Sequence, residues 1–216
     1  MFDKRNIIIA AIGLLALVLF IFLALMIRVP GITDLDIRVS KAFSLWRPAL
    51  LTASLKSVTA LGSVAIGGFL AIILAAILWR ERKRIEALFL AIAIAGVLMV
   101  DPLKALIERP RPNATIIGFV PIEMRGFSFP SGHSVLSASI YGFLLVIIII
   151  NIKGRLRIAA ASFLVILLIL IGLSRIYLGA HYLSDVIGGL LLGSAWCALL
   201  TVLFLYTLDK LDSHHS

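Results

Sequence analysis

The stretch PSGHSVLSASIYGFLLVIIIINIKGRLR, residues 130–157, decides the fold. It opens on four small or polar residues, runs on through almost unbroken apolar side chains, and closes on Lys153, Arg155 and Arg157. Residues 133–151, wound as a helix at 1.5 Å per residue, reach about 28 Å, close to the roughly 30 Å thickness of a bilayer's hydrocarbon core. The segment therefore reads as a transmembrane helix with a chemically active tip at one end and a basic turn at the other.

Working outward, five more runs have the same character, near 7–27, 59–79, 85–107, 157–174 and 185–207. With 62% hydrophobic and 14% charged residues over 216 positions, the chain holds more apolar side chain than one soluble core can use. The expected fold is all-α: a polytopic membrane protein with six transmembrane helices, residues 1–216 forming one integral membrane domain. No soluble domain, internal repeat or low-complexity linker interrupts it. The first run is long enough to span, and no small-residue cleavage site follows it, so it is expected to be retained. Between the first two runs, Pro30 to Lys56 spaces charges among Leu35, Ile37, Val39, Phe43, Leu45 and Trp46. That pattern predicts an interfacial amphipathic helix near 33–47 with Trp46 at headgroup depth, chiefly structural, with a lid over the site as the lesser alternative. The single cysteine, Cys197, lies inside an apolar run and is assigned to packing.

Orientation follows from short basic turns beside span ends. Arg80, Arg82, Lys83 and Arg84 fill one, Lys153, Arg155 and Arg157 another, and Lys4 and Arg5 lie on the same side. By the positive-inside rule both termini are expected in the cytoplasm. The net charge of +9 is then membrane bias plus site cations, and nucleic acid is not an expected partner.

On that topology the polar clusters share the opposite, extracytoplasmic face. Lys104 and Arg111-Pro112 lie at the end of span three, Pro130-Ser131-Gly132-His133 opens span four, Ser174-Arg175 closes span five, and His181 to Asp185 opens span six. The loop from Glu108 to Phe129, carrying Pro110, Pro112 and Pro121, is expected to be an ordered excursion that brings Arg111 and Ser131 together. Lys104, Arg111 and Arg175 can neutralise an oxyanion, and arginine can grip two oxygens at once. Ser131 and the Gly132 amide add neutral donors, and a helix beginning at His133 favours an anion. His181 and Asp185, four apart, are expected to stack on one helix face, so that the carboxylate holds one ring N–H and aims the other nitrogen at phosphorus. His181 is then the nucleophile, Asp185 its orienter, and His133 the general acid that protonates the leaving oxygen.

The residues Lys104-x₆-Arg111-Pro112, Pro130-Ser131-Gly132-His133 and Ser174-Arg175-x₅-His181-x₃-Asp185 resemble the complete three-part signature of the type 2 phosphatidic acid phosphatase superfamily. The resemblance implies a six-helix membrane lipid phosphatase of the bacterial cell membrane that works without a metal or other cofactor through a phosphohistidine. It also implies that Lys104, Arg111, Ser131, Gly132 and Arg175 bind phosphate, that His133 and His181 are acid and nucleophile, and that Asp185 partners His181. The expected partner is a lipid phosphate in the bilayer. The short form is similar to the phosphatidylglycerophosphatase B group, which points to phosphatidylglycerol phosphate, with phosphatidate and related lipid phosphates as further substrates. An undecaprenyl diphosphate phosphatase is the alternative within the superfamily. A lipid-phosphate binding or transport protein stands outside it and has no use for a His–Asp pair; a peroxidase that holds vanadate in the same kind of pocket, as related superfamily members do, is opposed by the six spans.

Plainer roles are assigned elsewhere. Ser137 and Ser139 are expected to make helix contacts, and Gly188, Gly189 and Gly193 to be close-packing positions. Asp101, three residues before Lys104, either steers that lysine or reaches interfacial water. His214 and His215 sit in a terminal Ser/His stretch and are given no function.

Overall fold

The computed structural model describes residues 4–119, 122 and 126–215. Every regular element among the described residues is a helix. Helix α1 (Lys4–Met26) crosses first. Helix α2 (Pro30–Ala42) follows, with Pro30 in its first turn, where a missing N–H costs nothing. The expected interfacial helix is present, but it ends at Ala42 rather than near 47, and Phe43 to Pro48 form the connection to α3. Its orientation is also informative. The residues of α2 that the protein buries are Asp36 and Ser40, one turn apart, while Leu35 is exposed. Asp34, Arg38 and Lys41 are exposed as well, and Ile32, Ile37 and Val39 are half-buried, so only a narrow polar stripe through Asp36 and Ser40 faces the protein.

The second span differs from its sequence reading. It is bent by 50° between α3 (Ala49–Ala60) and a segment running from Val64 through α4 (Phe69–Arg80), and so begins ten residues before the expected 59. The first part of that segment, Val64–Gly68, is a π turn. At the break the Leu61 carbonyl leaves the helical ladder and accepts from the Tyr141 hydroxyl at 2.8 Å. A bend of this kind needs such an external partner to be stable away from water. Span three, Arg84–Ile107, contains α5 (Arg84–Ala93), a 3₁₀ stretch over Ile94–Met99, and α6 (Val100–Ile107). A single short turn, α7 (Ala114–Ile117), lies in the following loop, where the expectation for Pro121 falls outside the described residues. The last three spans are α8 (Gly132–Asn151), α9 (Gly154–Tyr177) and α10 (Leu183–His215), within one to three residues of expectation at their starts. Counting the bent pair as one, six helical segments among the described residues are long and apolar enough to span.

Helix α8 is the axis of the bundle and packs against α5, α9 and α10. Its buried face, with Leu136 and Phe143, meets Leu90, Ile171 and Phe204, and the rings of Phe89, Phe143 and Phe204 meet edge-on or stacked at 5.4–6.1 Å. A second cluster of Phe20, Val100, Phe129, Val135 and Leu192 lies toward the α8 N-terminus, where Phe20 stacks on Phe129 at 5.7 Å. It holds the segment before Ser131 in place. The α8–α10 crossing is close because two of its residues lack side chains. A Cβ on Gly189 would stand 2.6 Å from the Ser131 carbonyl oxygen, and one on Gly193 would stand 2.4 Å from that of Val135. Cys197 is a free thiol packed at the edge of the main core, in line with its packing role.

Candidate active site

The chain brings the polar clusters to one end of the bundle, away from the basic turns. Ser131 is the cap residue of α8, so Gly132 and His133 stand at a helix N-terminus whose first N–H groups have no helical acceptor. The Ser131 N–H donates to the Asp185 carbonyl at 3.0 Å, which ties the start of α8 to the start of α10. Lys104, from the last turn of α6, lines one cavity of about 340 Å³ with Asp101, Gly132 and His133. The remaining wall is apolar, and two of its members, Val64 and Leu98, turn 54% and 73% of their surface outward. His133 lies within electrostatic reach of Arg175, His181, Lys104 and Arg111. Both imidazoles and all three expected phosphate-binding cations therefore share one locality.

His181 is buried, in the turn between α9 and α10. Its Nε2 is 3.3 Å from Arg111 Nη1, which also donates to the Ala180 carbonyl at 2.8 Å. An Nε2 that accepts from arginine carries its ring proton on Nδ1. That Nδ1 faces Asp185 Oδ2 at 3.5 Å and the Ser128 hydroxyl at 3.4 Å. The expectation of two residues stacked on a helix is corrected here. His181 precedes the helix, and Asp185, in the first turn of α10, reaches back to it while its Oδ2 accepts from the Tyr182 N–H at 2.8 Å. A carboxylate early in a helix also suits the positive end of the dipole. Burial pushes the His181 imidazole down to about 4, and Arg111 and Arg175 add to that effect against the opposing pull of Asp185. The ring is thus held neutral, with its Nε2 lone pair directed at Arg111.

Arg175 is almost wholly buried, and its Nη1 donates to Thr59 Oγ1 at 2.8 Å. Ser131 is equally buried, and its Oγ accepts from the Ser134 hydroxyl at 3.1 Å. Ser139 bonds the Val135 carbonyl of its own helix at 2.8 Å, as expected of a helix contact. Asp101 lines the same cavity as Lys104.

Four participants were not evident from sequence. Ser128 donates to Asp185 Oδ2 and lies beside His181. Thr59, on the broken span, holds Arg175. Arg109 and Asp36 form a buried ion pair at 2.6 Å, and Arg109 makes a second with Asp185, also at 2.6 Å. Burial works against the Arg109 charge, but Asp185 and Asp36 outweigh it and hold the guanidinium above its ordinary value. The only sequence signal for Arg109 is its place in Arg109-Pro110-Arg111-Pro112, where either arginine could have been the ligand.

Residues 84–209 match the PAP2 superfamily. The chain belongs to that family. A curated relative, phosphatidylglycerophosphatase B of Bacillus subtilis, is 30% identical over 178 residues, which cover 81% of this chain and 85% of that one. Lipid A 1-phosphatase of Rhizobium johnstonii is 34% identical over 122 residues, 54% of this chain and 46% of that one. Among solved structures, the transmembrane PAP2 type phosphatidylglycerolphosphate phosphatase of Bacillus subtilis superposes with a TM-score of 0.80 at 28% identity, covering 88% of this chain and 94% of that one. LpxE of Aquifex aeolicus gives 0.62 at 26% identity, with 77% and 94% covered. This PAP2-superfamily chain is accordingly a multi-pass membrane lipid phosphatase.

Proposed function

We propose that the protein removes the terminal phosphate monoester of a membrane lipid, phosphatidylglycerol phosphate foremost, to give phosphatidylglycerol and inorganic phosphate. The observation that carries this reading is the division of the His181 ring: Nδ1 toward Asp185 and Ser128, Nε2 toward Arg111, beside a cavity that holds Lys104 and His133. In the first step Nε2 attacks phosphorus, the P–N bond forms as the P–O bond to the lipid breaks, and His133 gives its proton to the departing lipid oxygen. In the second step water attacks the phosphohistidine, His133 takes the water proton, and the P–N bond breaks. Lys104, Arg111, Arg175, Ser131 and the Gly132 amide hold the phosphoryl oxygens in both steps, where charge stabilisation does most of the work. Phosphatidylglycerol phosphate is favoured because relatives that share more than four-fifths of their length with this chain carry that activity in their names.

Residues 1–216 act as one phosphatase unit in a bacterial cell membrane, with both termini cytoplasmic and the site on the extracytoplasmic face. The basic turns at the end of the bundle opposite the site support that orientation. Trapping tests the chemistry: brief exposure of purified protein to lipid with a radiolabelled terminal phosphate should leave acid-labile label on His181, and none on His181→Ala. Label on another residue, or turnover by His181→Ala, overturns the assignment. A lipid panel tests the substrate. A higher kcat/KM for undecaprenyl diphosphate than for phosphatidylglycerol phosphate replaces the first choice with carrier-lipid recycling.

A further inference from the structure

The ion pairs that Arg109 makes lie outside the phosphate cup, yet they end on the carboxylate that faces His181. The Arg109 side chain is 7% exposed, Asp36 2% and Asp185 not at all. Arg109 Nη1 donates to Asp185 Oδ1 at 2.6 Å and to Ser184 Oγ at 2.7 Å, and Nη2 donates to Asp36 Oδ2 at 2.6 Å. The guanidinium lies over the Tyr182 ring at 4.6 Å. Asp36, contributed by the interfacial helix α2, also accepts the Ser184 N–H at Oδ1, 2.9 Å away, and the Ser184 hydroxyl at Oδ2. It thereby caps the first turn of α10 from another helix, satisfying an N–H that has no acceptor within α10 itself.

The two oxygens of Asp185 are divided between two tasks. Oδ1 is taken by Arg109, whereas Oδ2 faces Tyr182 N–H, Ser128 and His181. Fixing Oδ1 stops the carboxylate from rotating about its Cβ–Cγ bond, and this keeps Oδ2 aimed at the imidazole. The pair is not a neutral cap, because one guanidinium serves two carboxylates. Asp36 draws part of the Arg109 charge away, and the cluster keeps a net negative charge beside the histidine. Lysine could not do the same, since a single ammonium lacks the planar fork that reaches two carboxylates at fixed angles.

We propose that Asp36 and Arg109 are positioning residues for catalysis, a buried relay from the interfacial helix α2 that fixes the rotation and charge of Asp185 and through it the direction of His181. The relay rests on the reading of Asp185 as the orienter of His181. Neither residue touches the phosphate. Their loss therefore acts on kcat and on the histidine ring, with substrate affinity nearly untouched.

The test uses full-length protein in detergent–lipid micelles and four variants: Asp36→Asn, the charge-matched pair Asp36→Asn with Arg109→Gln, Asp185→Asn and His181→Ala. Removing Arg109 alone strands two buried carboxylates and unfolds the site for trivial reasons. The matched pair removes one charge of each sign, and Asp36→Asn alone leaves Arg109 balanced by Asp185 and keeps a side-chain oxygen for Arg109 and Ser184, so Asp36→Asn is the variant expected to fold. The expected result for each folded variant is a kcat lower by about 10- to 100-fold, the range that the hydrogen-bonded partners of metal-ligating histidines show when removed. KM stays within about twofold, single-turnover labelling of His181 slows by the same factor as kcat, and the His181 ¹⁵N ring resonances move. A folded Asp36→Asn or matched pair with kcat within about twofold of the parent overturns the relay, as does a change confined to KM. The two controls separate the layers. If Asp185→Asn is inactive while the relay variants are unaffected, only the relay fails. If Asp185→Asn or His181→Ala turns over normally, the catalytic assignment beneath it fails first.

Discussion

Gly189→Ala gives the sharpest measure of how closely the two halves of the site are packed. The new methyl would stand 2.6 Å from the Ser131 carbonyl oxygen and 2.7 Å from the Ser134 Cβ, where ordinary contact begins near 3.4 Å. Helices α8 and α10 must therefore separate by about 0.8 Å at this level. A backbone carbonyl cannot rotate out of the way as a side chain can. Two energetic terms partly offset each other. Overpacking costs about 1–3 kcal/mol, and alanine's better helix propensity returns about 1 kcal/mol. Thermal stability should therefore drop by only a few degrees. Geometry is less forgiving, because the displaced residues are Ser131 to His133 on one side and the Asp185 end of α10 on the other. A misplacement of about 1 Å can cost 100-fold in rate, so a fall of about 10- to 100-fold in kcat is expected. Phosphate release from phosphatidylglycerol phosphate in mixed micelles, beside thermal unfolding followed by tryptophan fluorescence, measures both. Gly31→Ala is the control, since nothing lies within 4 Å of its added methyl. Full activity in Gly189→Ala would refute the tight coupling of α8 to α10.

Three further outcomes are expected. Because the folded pKa of His181 is depressed to about 4, its ¹⁵N ring signals should stay those of a neutral imidazole as pH falls through 6.5 and change only as it nears 4. A midpoint at 6.5 refutes its desolvation. Asp185→Asn should lower kcat far more than it changes KM, since it disturbs ring tautomer and direction rather than phosphate contacts; an equal effect on both parameters argues for a binding role. Tyr141→Phe leaves the Leu61 carbonyl at the break of span two without its hydroxyl donor, which should cost about 1–3 kcal/mol of stability as read by chemical denaturation.

The legible parts of this chain are those that depend on one-dimensional regularities. Apolar runs fixed by bilayer thickness placed five of the six spans within a few residues, and basic turns such as Arg80 to Arg84 marked the end of the bundle opposite the motif residues. The motif residues were legible because their types are rare in hydrocarbon. Hidden from that reading was whatever depends on a partner distant along the chain. Asp36 looks like one more charge on an amphipathic helix until Arg109, 73 positions away, is placed against it. Ser128 has no periodicity to mark it. The bend at Leu61 follows from a tyrosine 80 residues later. The i to i+4 spacing of His181 and Asp185 invited a helical interpretation, but Tyr182 and Asp185 instead make a turn-closing bond that starts the helix after the histidine.

The apolar, outward-turned wall formed by Val64 and Leu98 has a kinetic consequence. A lipid that slides in from the side never leaves its leaflet, so the enzyme samples substrate in two dimensions. Velocity should then follow the mole fraction of substrate in the surface. Adding inert lipid at constant total substrate should slow turnover just as thinning the crowd on a floor slows chance meetings, however much water surrounds it.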